Sequence, residues 1–158
     1  MRAEEIEILL VDDSSADVDL TLHALRKNTL NNRIHVVRDG EEALNFLFCR
    51  EPYQERARQP LPQLILLDLK LPKVDGLSVL RTLKADQRTR WMPVIVLTSS
   101  KEERDLTASY DLGVNSYVQK PVDFEHFREA VDALALYWLM VNQPPPRQAM
   151  PNGKEKSA

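Results

Sequence analysis

Five short apolar runs, each followed by a segment with helical character, constrain the fold of this chain more than any other feature. They occupy residues 8–11, 34–37, 64–67, 94–97 and 116–119. The first four are aliphatic or β-branched almost throughout, which is typical of strands that are covered on both faces. Regular alternation of strand and helix predicts an α/β protein with a parallel sheet and right-handed crossovers. We expect a doubly wound five-stranded parallel sheet in the order 2-1-3-4-5.

Polar residues before the helical segments predict where the helices begin. The candidates are Ser14 or Ser15 for the first helix, Asp39 for the second, the Asp75-Gly76 turn for the third and Asp123 for the last, which we expect to run to about residue 141. The fourth helical segment, residues 101–112, has a thin apolar stripe made chiefly of Leu106 and Tyr110. A helix with so little to bury should be loosely held.

Two segments have the composition of loops or tails. Residues 51–63 carry three prolines and several charges, so we expect a long surface connection before the third strand. Residues 142–158 contain a run of three prolines and then polar residues, which favours a flexible tail. The predicted folded domain is therefore residues 6–141.

Composition limits the class of protein. A chain of 158 residues with 43% hydrophobic and 28% charged residues fits one globular domain. A net charge of -3 argues against nucleic acid as a partner. A single cysteine excludes a disulfide framework, and no apolar stretch approaches the ~20 residues that span a bilayer. We expect a cytoplasmic protein.

The apolar runs end at polar residues that suit one chemical task. These residues are Asp12, Asp13, Asp39, Asp68, Thr98 and Lys120. The carboxyl ends of parallel strands share one edge of the sheet, near which doubly wound proteins bind their ligands. For Asp39 and Asp123, capping of the next helix accounts for most of the pattern.

The carboxylates of Asp12, Asp13 and Asp68 should lie close together, because the first and third strands are neighbours in the predicted order. Two such charges about 4 Å apart repel by about 4 kcal/mol at an effective dielectric of about 20. That repulsion favours binding of a divalent ion, for which Mg²⁺ is the natural candidate. A carboxylate can also attack phosphorus, with the ammonium of Lys120 offsetting charge and the Thr98 hydroxyl contacting a phosphoryl oxygen.

These motifs resemble those of the response-regulator receiver domain over nearly the whole chain, from about residue 6 to 141. The matching segments are LLVDD at 9–13, LLDLKLP at 66–72 with Asp75-Gly76, VLTS at 96–99 and YVQKP at 117–121. The resemblance implies a flavodoxin-like receiver fold and a phosphoacceptor rather than an enzyme. It also implies that Asp68 takes a phosphoryl group from a phosphohistidine on a sensor histidine kinase.

The resemblance further implies a role for each residue at the site. Asp13, Asp68 and the backbone carbonyl of Lys70 would bind Mg²⁺ directly, with Asp12 acting through water. Thr98 and Lys120 would contact the phosphoryl oxygens. On phosphorylation Thr98 would move toward them while Tyr117 turns inward, and the Lys120-Pro121 bond would be cis.

Two further positions, Lys70 and Ser100, face the attacking water in this family and tune the phosphoryl lifetime. The side chain of Lys70 either covers the acyl phosphate or points to solvent, and the sequence leaves both open.

The chain also resembles, more narrowly, small regulators that pair with phytochrome-type histidine kinases. Output would then be a binding event or phosphoryl relay to a downstream protein.

The last helix has an inward stripe of Phe127, Val131, Leu134 and Trp138, yet its final turns have little polar surface. An exposed apolar end of this kind indicates a partner surface. We expect a homodimer through the fourth helix, fifth strand and fifth helix. Its face would consist of Tyr110, Tyr117, Leu136, Leu139 and Met140. The alternative is that the last helix packs against its own domain.

Other functions fit the residues less well. A phosphatase of the haloacid dehalogenase type needs an acidic residue where Lys70 stands. A flavin carrier of the flavodoxin type needs a phosphate loop after the first strand, where Asp12 and Asp13 would repel the phosphate. A receiver that no longer takes phosphate does not account for the complete set of site residues.

Overall fold

A five-stranded parallel sheet forms the centre of the molecule. The structure is a computed structural model that describes residues 6–27, 32–121 and 123–143. The strands are β1 (Ile6–Val11), β2 (Asn32–Val37), β3 (Leu64–Leu67), β4 (Val94–Thr98) and β5 (Ser116–Gln119). They pair in parallel in the order β2-β1-β3-β4-β5, which confirms the predicted fold class and strand order.

The helices cover both faces of the sheet. They are α1 (Ser15–Lys27), α2 (Gly40–Leu47), α3 (Gly76–Ala85), α4 (Glu103–Asp111) and α5 (Phe124–Ala135). Asp39, Asp75 and Asp123 each accept a hydrogen bond from a backbone N–H in the first turn of α2, α3 and α5 respectively. Local capping therefore sets these three helix starts as the sequence indicated.

The last helix does not continue as a regular α-helix to residue 141. It changes at Leu136 into a π-helical segment, Leu136–Val141. The N–H of Asn142 accordingly donates to the carbonyl of Tyr137, five residues earlier, at 2.7 Å. The sequence did not indicate this change, because the apolar pattern is nearly continuous there and cannot distinguish the two spacings. Trp138 still packs against the same hydrophobic cluster as Leu134.

Alternate residues of each strand supply two separate cores. In β1, Leu9 and Val11 join α2 and α3 in one cluster, while Ile8 and Leu10 join α1 and α5 in the other. This division follows from the two-residue period of a strand, and it explains why every residue of β3 and β4 is buried. Burial of both faces fixes the register in which the strand ends are aligned.

The connection before β3 is more ordered than predicted. A 3-10 helix, Gln54–Arg58, forms within it, and Arg56 and Leu61 are buried. The guanidinium of Arg56 lies 3.6 Å from the centre of the Phe46 ring and donates to the Phe46 backbone carbonyl. Tyr53 contacts the same ring edge-on and donates to Glu42 at 2.8 Å. The connection runs along the surface as expected, since Glu51, Gln54, Glu55 and Gln59 are exposed. The sequence did not indicate that its Arg and Tyr side chains would pack their apolar surfaces on α2.

The predicted tail from residue 144 onward lies outside the described residues. Within the described ranges, no helix combines the length and apolar character needed to cross a membrane.

Candidate functional site

The ends of three strands meet at the carboxyl edge of the sheet. The backbone N–H of Asp68 donates to the carbonyl of Val11 at 3.0 Å, and that of Asp12 donates to the carbonyl of Val37 at 3.1 Å. These bonds extend the strand pairing by one residue, so the two aspartates follow β3 and β1 at the same level. Both side chains are buried, whereas Asp13 is exposed.

Lys120 connects these carboxylates. Its ammonium donates to Asp12 Oδ2 at 2.8 Å, to Asp17 Oδ2 at 2.8 Å and to Asp68 Oδ2 at 3.1 Å. The Lys120 side chain is only 7% exposed. Its backbone N–H donates to the carbonyl of Thr98 at 2.7 Å, which fixes the end of β5 beside the end of β4. The predicted convergence of Asp12, Asp68 and Lys120 is thus present, and Asp17 in the first turn of α1 joins them.

Burial and ion pairing act in opposite directions on the charges at this site. Burial alone would lower the pKa of the Lys120 ammonium, but the hydrogen bonds to Asp12 and Asp17 and the charge of Asp68 outweigh it and raise the pKa. Burial raises the pKa of the Asp12 carboxyl, and its hydrogen bond from Lys120 offsets only part of that effect. Lys120 therefore stays charged. The raised pKa of Asp12 means that Lys120 alone does not fully compensate the burial of its carboxylate, so further positive charge nearby would stabilise the ionised form.

The acidic residues fit a divalent metal ion. Asp12, Asp13 and Asp68 each offer one carboxylate oxygen, and these three oxygens lie within 4.8 Å of one another. Neighbouring ligands of an octahedral Mg²⁺ are separated by about 3 Å and opposite ones by about 4 Å, since each bond is about 2.1 Å long. Small side-chain movements would bring the three oxygens to those distances. A hard oxygen donor set of this kind is what Mg²⁺, Mn²⁺ and Ca²⁺ select.

Thr98, Ser100 and Tyr117 form a connected group of hydrogen-bonding residues from β4, the loop that follows it, and β5. The buried Thr98 hydroxyl oxygen accepts from the backbone N–H of Ser100 at 3.3 Å. The Tyr117 hydroxyl donates to the carbonyl of Ser100 at 3.3 Å. The Ser100 hydroxyl donates to Asp105 in α4 at 2.5 Å. Ser100 therefore links the end of β4 to both Tyr117 and the first turns of α4.

Two of the remaining predicted residues, Asp39 and Lys70, do not contribute a side chain to the acidic cluster. Asp39 caps α2, and its carboxylate is 3.8 Å from the ammonium of Lys73, so it does not join the acidic cluster. Lys70 is exposed, and its backbone N–H donates to Asp68 Oδ1 at 3.2 Å.

The predicted cis bond at Lys120-Pro121 was wrong for this structure. Among the described residues the one cis peptide bond is Glu51-Pro52. The trans form is intrinsically favoured by about 0.5–1 kcal/mol even before proline, so a motif alone does not fix the isomer.

The predicted dimer face is partly exposed. Tyr110, Leu136 and Met140 are each more than half exposed, whereas Tyr117 is partly buried. Phe124 and Val141 add further exposed apolar area on the last helix and its π-helical segment. The side chain of Leu139 lies outside the described residues.

Comparison with known proteins places this site in a family. A profile of the response regulator receiver domain matches residues 8–132. This chain belongs to the response regulator receiver family. The receiver domain is the phosphoryl acceptor of two-component signalling.

Individual relatives agree with this receiver assignment. FilR2 of Methanothrix harundinacea, a probable methanogenesis regulatory protein, is 41% identical over 87% of this chain and 86% of its own. The response regulator Rcp1 of Synechocystis is 40% identical over 84% of this chain and 88% of its own, and its Mn²⁺-bound crystal structure superimposes with a TM-score of 0.85 over 89% and 99%. The phosphorylated cyanobacterial phytochrome response regulator RcpA is 37% identical with a TM-score of 0.86, over 90% of this chain and 100% of that one.

The sequence indicated most of this receiver site but not Asp17. A carboxylate in the first turn of a helix is ordinarily explained by the helix dipole, so its type and position give no functional signal. Asp17 follows Asp13 by four residues, about one helical turn. This spacing is the signal from which its place near the site could have been predicted.

Proposed function

We propose that this protein accepts a phosphoryl group on a carboxylate oxygen of Asp68. The supporting observation is that buried Asp68 follows the central strand β3 with Lys120 Nζ 3.1 Å from its Oδ2. Asp12 is also buried, but one of its oxygens accepts from the N–H of Ser14 and the other from Lys120, so it is committed to holding the site. Asp13 is exposed and belongs to the acidic cluster, which suits a metal ligand better than an acceptor.

The donor would be a phosphohistidine on a sensor histidine kinase. An Asp68 oxygen attacks phosphorus, the new O–P bond forms, and the N–P bond breaks with its electron pair remaining on the imidazole nitrogen. Lys120 supplies a fixed positive charge beside the developing bond, and its buried ammonium needs no reorganisation at the moment of transfer. Because the similar protein RcpA is a phytochrome response regulator, we propose a phytochrome-type kinase as the partner.

Mg²⁺ would occupy the acidic cluster during the transfer. Asp12, Asp13 and Asp68 would hold it, with the backbone carbonyl of Lys70 as the predicted further ligand. When bound, the ion neutralises charge shared between the phosphoryl group and the carboxylates, which lets an anionic nucleophile approach an anionic donor.

The signal would pass from Asp68 to α4 and β5. Thr98 is the hydroxyl at the end of β4, and drawing it toward a phosphoryl oxygen would break its contact with the Ser100 N–H. Ser100 holds Tyr117 through its carbonyl and α4 through its hydroxyl, so a change at Thr98 reaches both. We propose that this movement alters the face around Tyr110, Tyr117 and the end of α5.

Output would be a protein-protein interaction in the cytoplasm. The exposed apolar residues of α4 and the last helix support a homodimer on that face, to which an as yet unidentified downstream protein would also bind.

Intact-mass spectrometry tests the acceptor assignment. The parent, Asp68→Asn and Asp39→Asn are incubated with Mg²⁺ and acetyl phosphate. Asp39→Asn is the matched control because Asp39 also follows a strand but lies outside the acidic cluster. We expect one phosphoryl group on the parent and on Asp39→Asn, none on Asp68→Asn, and none on any protein when EDTA removes the metal. Equal uptake by Asp68→Asn would overturn the proposal.

A further inference from the structure

Asp17 is the third carboxylate that contacts Lys120, and it differs from the other two. Asp12 and Asp68 follow strands and belong to the acidic cluster suited to a metal ion, whereas Asp17 lies in the first turn of α1 and is outside that cluster. Its Oδ2 accepts from Lys120 Nζ at 2.8 Å, as short as the contact with Asp12 and shorter than the 3.1 Å contact with Asp68.

The first turn of α1 holds Asp17 firmly in this place. The N–H of Asp17 donates to the hydroxyl oxygen of Ser14 at 3.3 Å, and its carbonyl accepts from the buried Thr21 hydroxyl at 2.8 Å. The N–H of Ser14 in turn donates to Asp12 Oδ1 at 2.9 Å. The backbone that carries Asp17 is thus connected to the end of β1, so its carboxylate has a defined position relative to the site.

An ammonium group has three N–H donors, and in this structure the three carboxylates use all of them. A divalent ion bound by Asp12 and Asp68 would draw their oxygens toward itself. Asp17 is then the carboxylate that keeps its contact with Lys120, because it does not belong to the metal cluster. A lysine side chain carries its ammonium on a flexible stem of four carbons. Without the contact to Asp17, the ammonium would therefore no longer be held in one position.

We propose that Asp17 is a positioning residue for Lys120. It keeps the ammonium aimed at Asp68 while a metal ion is bound, so that one N–H remains for an oxygen of the incoming phosphoryl group. This inference rests on the proposed function, since it assigns Lys120 the task of contacting that group. The contact also joins α1 to the reacting centre. Asp17 is not assigned a contact with the phosphoryl group, so it acts on the reaction only through Lys120.

Paired alanine variants on one helix separate this role from a general effect of charge. Asp17→Ala removes the contact, and Asp19→Ala removes the same charge from an exposed position two residues later on α1. With saturating Mg²⁺ and acetyl phosphate, we expect Asp17→Ala to slow phosphoryl uptake about tenfold, as expected for loss of one hydrogen bond between charged groups. Asp19→Ala should remain within about twofold of the parent, as is usual for an exposed surface substitution.

A double-mutant cycle tests whether the effect passes through Lys120. In a Lys120→Met background, Asp17→Ala should add no further loss of uptake rate, since the ammonium it positions is gone. A purely structural role of Asp17 in starting α1 would give the same relative loss in both backgrounds.

Nuclear magnetic resonance of the lysine ammonium groups gives a readout that does not depend on phosphoryl uptake. We expect the parent to give a slowly exchanging Lys120 ammonium signal, assigned by its absence in Lys120→Met, both without metal and with Mg²⁺. With Mg²⁺ bound, Asp17→Ala should lose this signal and Asp19→Ala should retain it.

The outcomes distinguish this inference from the function on which it rests. A parent protein that takes up no phosphoryl group would overturn both. Normal uptake by the parent, with Asp17→Ala equal to Asp19→Ala in rate and in the ammonium signal, would overturn the role of Asp17 alone. Loss of uptake that is undiminished in the Lys120→Met background would overturn it as well.

Discussion

At the scale of single residues, the ammonium of Lys120 determines how the acidic edge of the sheet is held together. It donates to Asp12, Asp17 and Asp68 in a site that is nearly closed to water. Removing one partner from a buried ion pair leaves an uncompensated charge, and this costs about 3–5 kcal/mol. The receiver site therefore depends on added positive charge, from Lys120 and from a metal ion, to keep its carboxylates together.

Gly76 is a residue whose lack of a side chain lets the start of α3 lie against the backbone of Asp68 and Leu69. A Cβ at this position would lie 2.3 Å from the carbonyl oxygen of Asp68 and 2.5 Å from the Cα of Leu69. We predict that Gly76→Ala destabilises the protein by about 1–3 kcal/mol, as overpacking typically does, and also slows phosphoryl uptake. Both contacts are with backbone, so the segment after β3 must shift and carry Asp68 with it.

Urea unfolding and the uptake rate, measured together, test this prediction. Ser78→Ala in the same helix is the control, and it should change stability by less than about 0.5 kcal/mol. A Gly76→Ala protein with parent stability and parent uptake would contradict the close approach described for this glycine.

At the scale of elements, the five helices are held to very different degrees. Among the described residues of α4, only Ser109 is buried, while Leu106 and Tyr110 are largely exposed. By contrast, α3 buries Val79, Leu80 and Leu83 in one of the two cores. The small buried area expected for the fourth helix is therefore present, but Leu106 and Tyr110, the residues of its predicted apolar stripe, are exposed rather than packed on the sheet. A helix with so small a buried area is suited to move when Ser100 moves.

The 3-10 connection before β3 makes stability depend on pH through His35. The ring of His35 lies 4.2 Å from that of Phe46, and burial together with the charge of Arg56 lowers its pKa, with Glu42 acting in the opposite direction. The unfolded chain then binds a proton near pH 6.5, where folded His35 does not. Stability from this residue is complete above that pH and is lost as the pH falls toward the lowered folded value.

We therefore predict opposite changes from two histidine substitutions. His35→Gln should reduce the loss of stability between about pH 7.5 and 5.5. His126→Gln should increase that loss, because the hydrogen bond and charge of Asp123 raise the pKa of His126, and its stabilisation is complete at low pH and lost as the pH rises. Urea midpoints of the parent and both variants at the two pH values measure this. Identical pH dependence in all three proteins would contradict the His35 environment described here.

At the scale of the whole molecule, the strand order and the acidic edge could be predicted, and several details could not. Asp12, Asp68, Thr98 and Lys120 were predictable because parallel strands bring their carboxyl ends to one edge. Asp17 was not, because its role depends on where the side chain of Lys120 reaches. The buried Arg56 was missed because a charged residue in a proline-rich segment has no periodic pattern. The π-helical segment was missed because the apolar residues there are nearly continuous and give no distinct period.

The exposed apolar end of the molecule leads to a prediction about assembly. Four apolar side chains of the π-helical segment are each about half exposed or more: Leu136, Tyr137, Met140 and Val141. We predict that the protein sediments as a dimer at high concentration and that Leu136→Lys raises the dimer dissociation constant at least about tenfold, since it places a charge in an apolar contact.

Sedimentation equilibrium of the parent, with and without beryllium fluoride and Mg²⁺, measures this. Glu55→Lys, an exposed substitution on the 3-10 helix, is the control and should dimerise like the parent. A parent that is monomeric at every concentration in both states would refute the dimer.

Chemical mapping of the acyl phosphate tests the central claim most directly. The parent is phosphorylated with acetyl phosphate and Mg²⁺, reduced with borohydride so that the aspartyl phosphate becomes homoserine, and then digested and fragmented in a mass spectrometer. The account predicts homoserine at position 68 and at no other aspartate. Homoserine at position 12, 13 or 17 in place of 68 would contradict it.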